Sequence, residues 1–355
     1  MKSMEVQAVT ADNSNNAKKP LFRKRRYICS DTKRGCCGCC AAWPSLFLFI
    51  LFLASWGQTF PATKFTNIKY DVDGITLHAY LATPKSPKNN TPAAIMFHAW
   101  NGMSEEMTYF ADQLAADGYY AIVPDLFRGT ATGATNILWN ILTVMTTPQE
   151  RMNTDSDAAL KYLKTLGNVD QGRISSGPGF CFGGTQSLVF GSRHKMAATV
   201  TCYGTYVKEL HDADSKAWGT LKTGGPILGI YGKDDTSPSP KDAEKFGEAL
   251  EKIGIAHNIT IYEGVGHGFI KHTLHKDGDE TPVMAWNQIK RFLKGAFQSA
   301  STDRRRSLTT LQLNGPEPYA VPLRVSLYHR YACALKCSED FFTHKGHWFG
   351  KRLEK

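Results

Sequence analysis

No apolar run in this 355-residue sequence has the length of an ordinary transmembrane helix. The longest run, residues 45–56 with an extension at 41–43, is shorter than the about 20 residues that span a bilayer. Its length fits the hydrophobic core of a signal peptide, although the long basic segment before it also allows an uncleaved anchor. In either case the positive flank stays cytosolic and the rest of the chain is translocated. We therefore expect a membrane-associated or secretory-pathway protein, with an organelle presequence as the alternative.

The central part of the chain lacks any excess of positive charge, although the whole chain carries a net charge of +10. Residues 1–60 have a net charge of +6 and residues 301–355 a net charge of +5, which leaves −1 for the middle. Nucleic-acid binding needs a basic face on a folded domain. The charge distribution therefore predicts no nucleic-acid partner, and it separates two basic tails from a nearly neutral domain.

Cysteines and histidines with the spacing of a metal site are also scarce. The four cysteines within residues 36–40 are packed more tightly than the usual spaced pairs of a metal site. Because they adjoin the apolar run, they are candidates for S-palmitoylation instead. The Cys333 and Cys337 pair precedes two histidines by a gap that is shorter than that of a zinc finger. We predict no metal and no organic cofactor.

Between the tails, strand-like and helix-like segments alternate. Asp73-Gly74 separates two short runs that predict an antiparallel hairpin. The alternation that follows predicts an α/β fold, with a mostly parallel central sheet and helices on both faces. The predicted strands are residues 66–70, 75–82, 93–98, 119–123, 198–203, 226–231 and 257–262, and the predicted helices are 104–116, 150–166, 241–253 and 282–297.

These patterns divide the chain into four parts. They are a basic, Cys-containing tail at 1–40, a hydrophobic signal or anchor segment at 41–60, a folded domain at 61–300 and a basic, disordered tail at 301–355. About 240 residues can form one large core, so a single domain suffices. Within it, the apolar segment 130–147 predicts either a lid or pocket wall or an ordinary core-packed helix.

Cys181 is the most informative residue of this domain. It lies in Gly179-Phe180-Cys181-Phe182-Gly183-Gly184, where a buried strand is expected to turn into a helix. Glycines two residues before and after a Ser or Cys permit the sharp strand–nucleophile–helix turn that exposes a nucleophile. The alternative is a small buried cysteine near a glycine turn, which is common in protein cores.

A base and an acid follow at positions that favour the first interpretation. His267 lies between glycines just after a predicted strand, and Asp235 lies just past the end of another. Active-site groups in open α/β sheets sit at such strand ends. Asp234 is the alternative acid. The order Cys, Asp, His is that of a hydrolase triad, and each gap is long enough for further strand and helix units.

Three motifs together make the sequence resemble the dienelactone hydrolase family of α/β-hydrolases. They are GFCFGG around Cys181, YGKDD around Asp235 and YEGVGHGF around His267, and the similarity covers about residues 64–299. The resemblance implies an α/β-hydrolase fold and a hydrolase that cleaves esters or lactones with a Cys–His–Asp triad. Carboxymethylenebutenolidase-type activity is one form that this could take. An oxyanion hole would use the N–H of Phe182, directly after the nucleophile, and by the family pattern the N–H of Trp100.

The sequence departs from the family at three positions. Ala99 stands where the best-known members carry a glutamate that helps control ionisation of the thiol. His98 is the nearest titratable group, and either it interacts with Cys181 or it is an ordinary hydrogen-bonded histidine at a strand end. Lys271 stands where some members bind a substrate carboxylate with arginine, so charge is kept but bidentate geometry is lost. Pro178 lacks an N–H near the end of the strand before Cys181.

The resulting main hypothesis is an enzyme that acts on a small ester or lactone without a cofactor. The alternative is a membrane-anchored binding module on a hydrolase fold, made catalytically weak by the missing loop carboxylate. A related acyl-transfer or polysaccharide-processing role is a third hypothesis.

Overall fold

The computed structural model describes residues 65–310, with gaps at 73, 132–135, 274–276 and 278. The predicted targeting region at 1–60 and the chain beyond 310 lie outside the described residues, as do both cysteine groups of the tails. The predictions made on these segments stay predictions. No helix in the described part combines the length and the hydropathy needed to cross a membrane.

Eight strands form one sheet in the order β1-β2-β4-β3-β5-β6-β7-β8. The first two form the predicted antiparallel hairpin, and the second also pairs antiparallel with the fourth. The remaining neighbours are parallel, which confirms the predicted mostly parallel sheet. The strands are β1 (Ile68–Val72), β2 (Ile75–Ala82), β3 (Thr91–Phe97), β4 (Tyr120–Pro124), β5 (Val169–Phe180), β6 (Ala198–Cys202), β7 (Ile227–Gly232) and β8 (His257–Tyr262).

Helices cover both faces of this sheet. They are α1 (Glu105–Ala116), α2 (Ile137–Thr146), α3 (Gln149–Thr165), α4 (Phe182–Arg193), α5 (Pro240–Lys252) and α6 (Glu280–Thr310), with 3-10 helices η1 (Thr205–Leu210) and η2 (Lys216–Thr223). Phe97 lies opposite Gly179 in the register of β3 and β5, and Phe180 is the next residue of β5. Since successive side chains of a strand point to opposite faces, Phe97 and Phe180 mark the two sides. Phe97 packs against Phe190 of α4, whereas Phe180 packs against Phe110 of α1.

Three inner strands, β4, β6 and β7, are buried along their whole length, because helices cover them on both sides. β8 forms the edge, and its residues are only partly buried or exposed. The carboxyl ends of β3, β5, β6, β7 and β8 meet at one edge of the sheet. The loops that follow these strands therefore lie side by side, as expected for an active site in an open α/β sheet.

The last helix corrects the predicted end of the domain. α6 runs from Glu280 to Thr310, whereas the prediction ended the helix at 297 and began a disordered tail at 301. The prediction relied on the loss of family-like sequence after 300. However, residues 301–310 contain no glycine or proline, and the first such helix-stopping residues are Gly315 and Pro316. The start of the predicted disordered tail is therefore wrong, because residues 301–310 are helical.

Residues 137–146 of the apolar segment 130–147 form α2, which is buried on one side only. The Asn136 side chain accepts a hydrogen bond from the Trp139 N–H at 2.9 Å and caps the start of the helix. Asn140, Thr143 and Val144 are buried, whereas Leu138 and Leu142 are 69% and 42% exposed. A core-packed helix therefore describes one face of α2, and the other face presents leucines to solvent.

Candidate active site

Cys181 connects β5 to α4 in a backbone conformation that is rare for a residue with a side chain. Its φ is 57° and its ψ is −116°, and it is the N-cap of α4. Such a conformation costs of order 1–3 kcal/mol and persists only where the surroundings hold it. The Cys181 N–H donates to the Cys202 carbonyl at 3.0 Å, and the Cys181 carbonyl accepts from the Thr185 N–H at 3.2 Å. The thiol therefore sits at the N-terminal end of a helix, where negative charge on sulfur is stabilised.

The glycines around Cys181 are required because backbone atoms approach them closely. A Cβ on Gly179 would lie 2.1 Å from the Gly183 carbonyl oxygen, and a Cβ on Gly183 would lie 2.1 Å from the Phe97 carbonyl oxygen. On Gly184 it would lie 2.5 Å from the Cys202 oxygen. The glycine pattern found in the sequence is thus explained by contacts between β3, β5, β6 and the start of α4.

Pro178 lies within an irregular stretch of β5. The register between β5 and β6 shifts between Ser176 and Gly179, so one extra residue bulges out of the ladder. A missing N–H is tolerated at a bulge because that position makes no regular ladder bond. This departure from the family is therefore accommodated locally, just before the nucleophile candidate.

His267 and Asp235 form a buried pair at the ends of β8 and β7. Nδ1 of His267 donates to Oδ2 of Asp235 at 2.7 Å, and the two residues are 8% and 3% exposed. Oδ1 of Asp235 also accepts from the Ser237 N–H at 2.8 Å, which fixes the carboxylate. Asp234 is exposed, and its backbone N–H donates to the Val265 carbonyl. Of the two acid candidates, Asp235 is therefore the one that contacts the imidazole.

The surroundings of His267 favour its charged form. Burial lowers its pKa, but the negative charge of Cys181 and the hydrogen bond to Asp235 outweigh this effect and raise the pKa to about 10. Because Nδ1 is bonded to Asp235, Nε2 is the ring nitrogen left for Cys181. The imidazole is thus electrostatically coupled to a carboxylate on one side and to the thiol on the other.

His98 is an uncharged structural histidine. Nδ1 donates to the Ala99 carbonyl at 2.8 Å, and Nε2 accepts from the Leu126 N–H at 3.1 Å. The side chain is fully buried, and burial lowers its pKa to about 4. Both ring nitrogens are therefore used by backbone groups. Of the two interpretations of His98, the structure supports the hydrogen-bonded strand-end histidine.

No carboxylate takes the place of the missing glutamate at Ala99 among the nearby described residues. Glu105 and Glu106, one helical turn further along, both face His272, with N···O distances of 3.8 and 3.7 Å. The Ala99 carbonyl instead accepts the Gly102 N–H at 3.1 Å, in addition to the His98 bond. The loop after β3 is thus organised by backbone contacts rather than by a charge beside the thiol.

The two residues predicted for the oxyanion hole lie on segments in close contact. Phe182 is the first residue of α4, and its ring packs 5.2 Å from Phe127 and 6.2 Å from His98 between ring centroids. The close approach of Gly183 to the Phe97 carbonyl brings the end of β3 against the start of α4. Trp100 follows in the same loop and is buried. The role of the two N–H groups stays a prediction.

Lys271 lines a cleft of about 540 Å³ beside the His267 loop. The cleft is bounded by residues 264–269, by Lys271 and by the start of α6, with Asp234, Asp279 and Glu280 on its walls. A volume of this size accommodates a small molecule. The predicted contact of Lys271 with a substrate stays a prediction. Within the described residues no group of three or more His, Cys, Asp or Glu side chains could hold a metal ion.

Tyr203 is a neighbour of His267 that the sequence analysis missed. Its ring centroid lies 5.1 Å from that of the imidazole. The sequence offered one signal, because Tyr203 is the last residue of the strand predicted at 198–203 and so belongs to the same edge of the sheet as the other strand-end residues. Nothing in its residue type distinguished it from an ordinary core tyrosine.

Comparison with known proteins agrees with this architecture. Residues 77–297 match the sequence model of the dienelactone hydrolase family. A relative from Synechocystis, provisionally named a carboxymethylenebutenolidase, is 26% identical over 239 residues, which cover 65% of this chain and 96% of the relative. A relative from Yersinia pestis with the same provisional name is 29% identical over 203 residues, which cover 55% and 75%.

Solved structures show the same fold. A provisionally named dienelactone hydrolase from Klebsiella pneumoniae superposes with a TM-score of 0.54 at 23% identity, covering 64% of this chain and 97% of its own. A dienelactone hydrolase-like promiscuous phosphotriesterase from metagenomic libraries gives 0.53 at 17% identity, covering 64% and 96%. The predicted α/β-hydrolase fold is confirmed. Since the match to the family's sequence model spans more than half of the sequence, the chain belongs to the dienelactone hydrolase family.

Proposed function

We propose that this protein hydrolyses carboxylic esters or lactones, with Cys181 as nucleophile, His267 as base and acid, and Asp235 as the residue that orients the imidazole. One observation carries the proposal. The strained cysteine at the N-terminus of α4 is electrostatically coupled to a histidine whose other nitrogen is bonded to a buried aspartate at 2.7 Å.

The first half of the reaction forms an acyl-enzyme. The Cys181 sulfur attacks the carbonyl carbon, and the electron pair of the C=O bond moves to oxygen. Backbone N–H groups of Phe182 and Trp100 would stabilise this oxyanion. When the tetrahedral intermediate collapses, the bond to the leaving oxygen breaks, and His267 gives that oxygen its proton. The product is a thioester on Cys181 together with a free alcohol, or the ring-opened hydroxyl of a lactone.

The second half regenerates the thiol. His267 removes a proton from water, the hydroxyl oxygen attacks the thioester, and sulfur leaves as the thiolate beside the reprotonated imidazole. Asp235 stabilises the imidazolium in both halves. The buried carboxylate and the helix N-terminus thus act on the two charged partners of the reaction.

The names of the relatives suggest a carboxymethylenebutenolidase-type substrate. Two residues argue for testing a wider range. Lys271 presents one charge without the fork of an arginine, and Ala99 removes the loop carboxylate of the best-known members. Simple short-chain esters therefore belong in the first set of substrates, beside lactones that carry a carboxylate.

Burst kinetics with a chromogenic short-chain ester test the proposal. The wild type is expected to release product rapidly in an amount equal to the enzyme, whereas Cys181→Ala is expected to show only the background rate. Cys202→Ala is the matched control, because Cys202 is also a buried free cysteine, and its hydrogen bond with the Cys181 N–H uses the backbone carbonyl, which the substitution keeps. Equal background rates for the wild type and Cys181→Ala, on esters and lactones alike, would reject the enzyme and favour the catalytically weak binding module.

We also propose that residues 41–60 direct the hydrolase domain into the secretory pathway. The apolar run with its basic flank supports this. The sequons at Asn89 and Asn258 provide a test, since both asparagines are exposed. Full-length protein expressed in eukaryotic cells should show a glycosidase-sensitive mass shift that Asn89→Gln together with Asn258→Gln abolishes. Unglycosylated protein that co-purifies with mitochondria or plastids would instead establish the organelle alternative.

A further inference from the structure

Tyr203 is a bulky residue held in the left-handed region of backbone conformation. It follows β6 directly, its φ is 44°, and it is only 2% exposed. Residues with bulky side chains rarely adopt a positive φ, and this backbone conformation costs of order 1–3 kcal/mol. Backbone strain of this size persists only where neighbouring contacts hold it. The contacts of Tyr203 therefore indicate what the strain achieves.

The backbone around Tyr203 joins the strands that carry the nucleophile and the acid. The Tyr203 N–H donates to the Ile230 carbonyl at 2.7 Å, which ties the end of β6 to β7, the strand that leads to Asp235. The preceding residue, Cys202, accepts the Cys181 N–H at 3.0 Å. Two consecutive residues of one strand end are thus bonded to the segments on either side.

The side chain of Tyr203 contacts the loop that carries the base. Its ring centroid lies 5.1 Å from the His267 ring at an interplanar angle of 58°, and 5.9 Å from the Phe269 ring at 56°. Both distances fall in the range of favourable tilted aromatic pairs. The hydroxyl also donates to the Ile270 carbonyl, but at 3.5 Å this bond is weak. The ring is therefore the main contact with the loop.

We propose that Tyr203 is a positioning residue that fixes the orientation of the His267 imidazole. This inference rests on the proposed function, because it concerns the group that would transfer the proton. The hydrogen bond from Nδ1 to Asp235 does not by itself prevent the imidazole from tilting about that bond. A ring packed against the imidazole removes this freedom, and the positive φ of Tyr203 aims the ring at His267. Nε2 is thereby held toward Cys181.

Three variants separate the contribution of the Tyr203 ring to catalysis from the contribution of its hydroxyl and from the general effect of losing a buried tyrosine. Tyr203→Phe keeps the ring and loses only the weak bond, so its kcat should stay close to that of the wild type. Tyr203→Leu keeps a buried apolar side chain without the ring, and its kcat should fall roughly tenfold or more at nearly unchanged KM, because a small misplacement of a catalytic group is costly. Tyr206→Leu is the matched control, since Tyr206 is also a buried tyrosine, 1% exposed in η1, and its hydroxyl interacts with Ser192. It should lose stability but keep kcat per folded molecule.

Alkylation of Cys181 by iodoacetamide gives a second measurement that needs no substrate. The rate is followed by mass spectrometry of the Cys181 peptide as a function of pH. In Tyr203→Leu the midpoint should move to higher pH, because a loosened imidazolium stabilises the thiolate less. Tyr203→Phe should keep the wild-type profile.

The outcomes distinguish the two proposals. If Tyr203→Leu keeps both the wild-type kcat per folded molecule and the wild-type alkylation profile, Tyr203 is only a structural residue and the inference is wrong. If the wild type itself shows no Cys181-dependent hydrolysis, the proposed function fails, and the alkylation profiles alone then decide whether Tyr203 positions His267.

Discussion

His98 is expected to remain uncharged in the folded protein down to about pH 4, and this has a measurable effect on stability. In the unfolded chain a histidine has a pKa of about 6.5. Burial lowers the folded-state pKa, so the stability contributed by neutral His98 is fully present above pH 6.5 and is lost as the pH falls toward 4. One pKa unit corresponds to about 1.4 kcal/mol. His98 therefore lowers the free energy of unfolding by roughly 2 kcal/mol between pH 7.5 and pH 5. Below pH 4 the total loss is about 3 kcal/mol.

Urea unfolding of the wild type and of His98→Gln at several pH values isolates this contribution. Glutamine does not titrate, and its amide can still accept the Leu126 N–H that Nε2 accepts in the wild type. Other titrating groups are shared by the two proteins, so their effects cancel in the difference. From pH 7.5 to pH 5 the wild type should lose about 2 kcal/mol relative to the variant.

The same difference can refute the assignment of His98. Parallel curves for the two proteins would mean that His98 does not change its pKa on folding. NMR titration of the His98 ring near pH 6.5 in the folded state would lead to the same conclusion. A charged His98 at the end of β3 would then reopen the interpretation in which it interacts with Cys181.

Three further perturbations test the elbow, the acid and a buried carboxyl. Gly183→Ala places a Cβ 2.1 Å from the Phe97 carbonyl oxygen, so its free energy of unfolding should fall by about 1–3 kcal/mol and its kcat/KM should also fall. Gly295→Ala is the control, because the Cβ would lie in open space, and it should lower neither the stability nor kcat/KM. Asp235→Asn should lower kcat by at least about a hundredfold, because Asp235 is the acid that is hydrogen-bonded to His267. Asp234→Asn should keep kcat within a few-fold of the wild type. Similar losses in both variants would contradict the acid assignment. Burial raises the pKa of Asp125 to about 6. As the pH rises from 4 to 7, the free energy of unfolding of the wild type should therefore fall by roughly 2 kcal/mol relative to that of Asp125→Asn. Urea unfolding that shows the same difference between the two proteins at every pH would contradict this.

The strands and most helices could be predicted because their signals are local. The predicted strands at 75–82 and 257–262 have the observed bounds, and the helix predicted at 104–116 starts one residue later because Ser104 is its N-cap. Apolar runs and capping residues report directly on such elements. The end predicted for α6 at residue 297 was wrong, because the absence of family-like sequence is not a helix-stop signal.

The hydrogen-bond partners and the charge of individual side chains could not be predicted, because they depend on contacts between segments that are far apart in the sequence. The Leu126 N–H that donates to Nε2 of His98 comes from a loop 28 residues away along the chain. The pairing of His272 with Glu105 and Glu106 joins segments more than 160 positions apart. Since periodicity reports only on neighbours along the chain, both interpretations of His98 stayed open until the fold brought the loops together.

The structure changes which charges are expected to control the ionisation of Cys181. A glutamate in the loop after β3 would place a negative charge beside the sulfur, but Ala99 supplies none, His98 is neutral, and Glu105 and Glu106 face His272. Among the residues that the structure describes, the imidazolium of His267 and the N-terminus of α4 are charges that favour a thiolate at Cys181. We therefore expect this thiol to ionise without a substrate, whereas a carboxylate beside the sulfur would oppose its ionisation. Introducing the carboxylate with Ala99→Glu should therefore slow alkylation of Cys181 near neutral pH relative to the isosteric Ala99→Gln. Equal alkylation rates in the two variants would show that this loop does not control the charge on the sulfur.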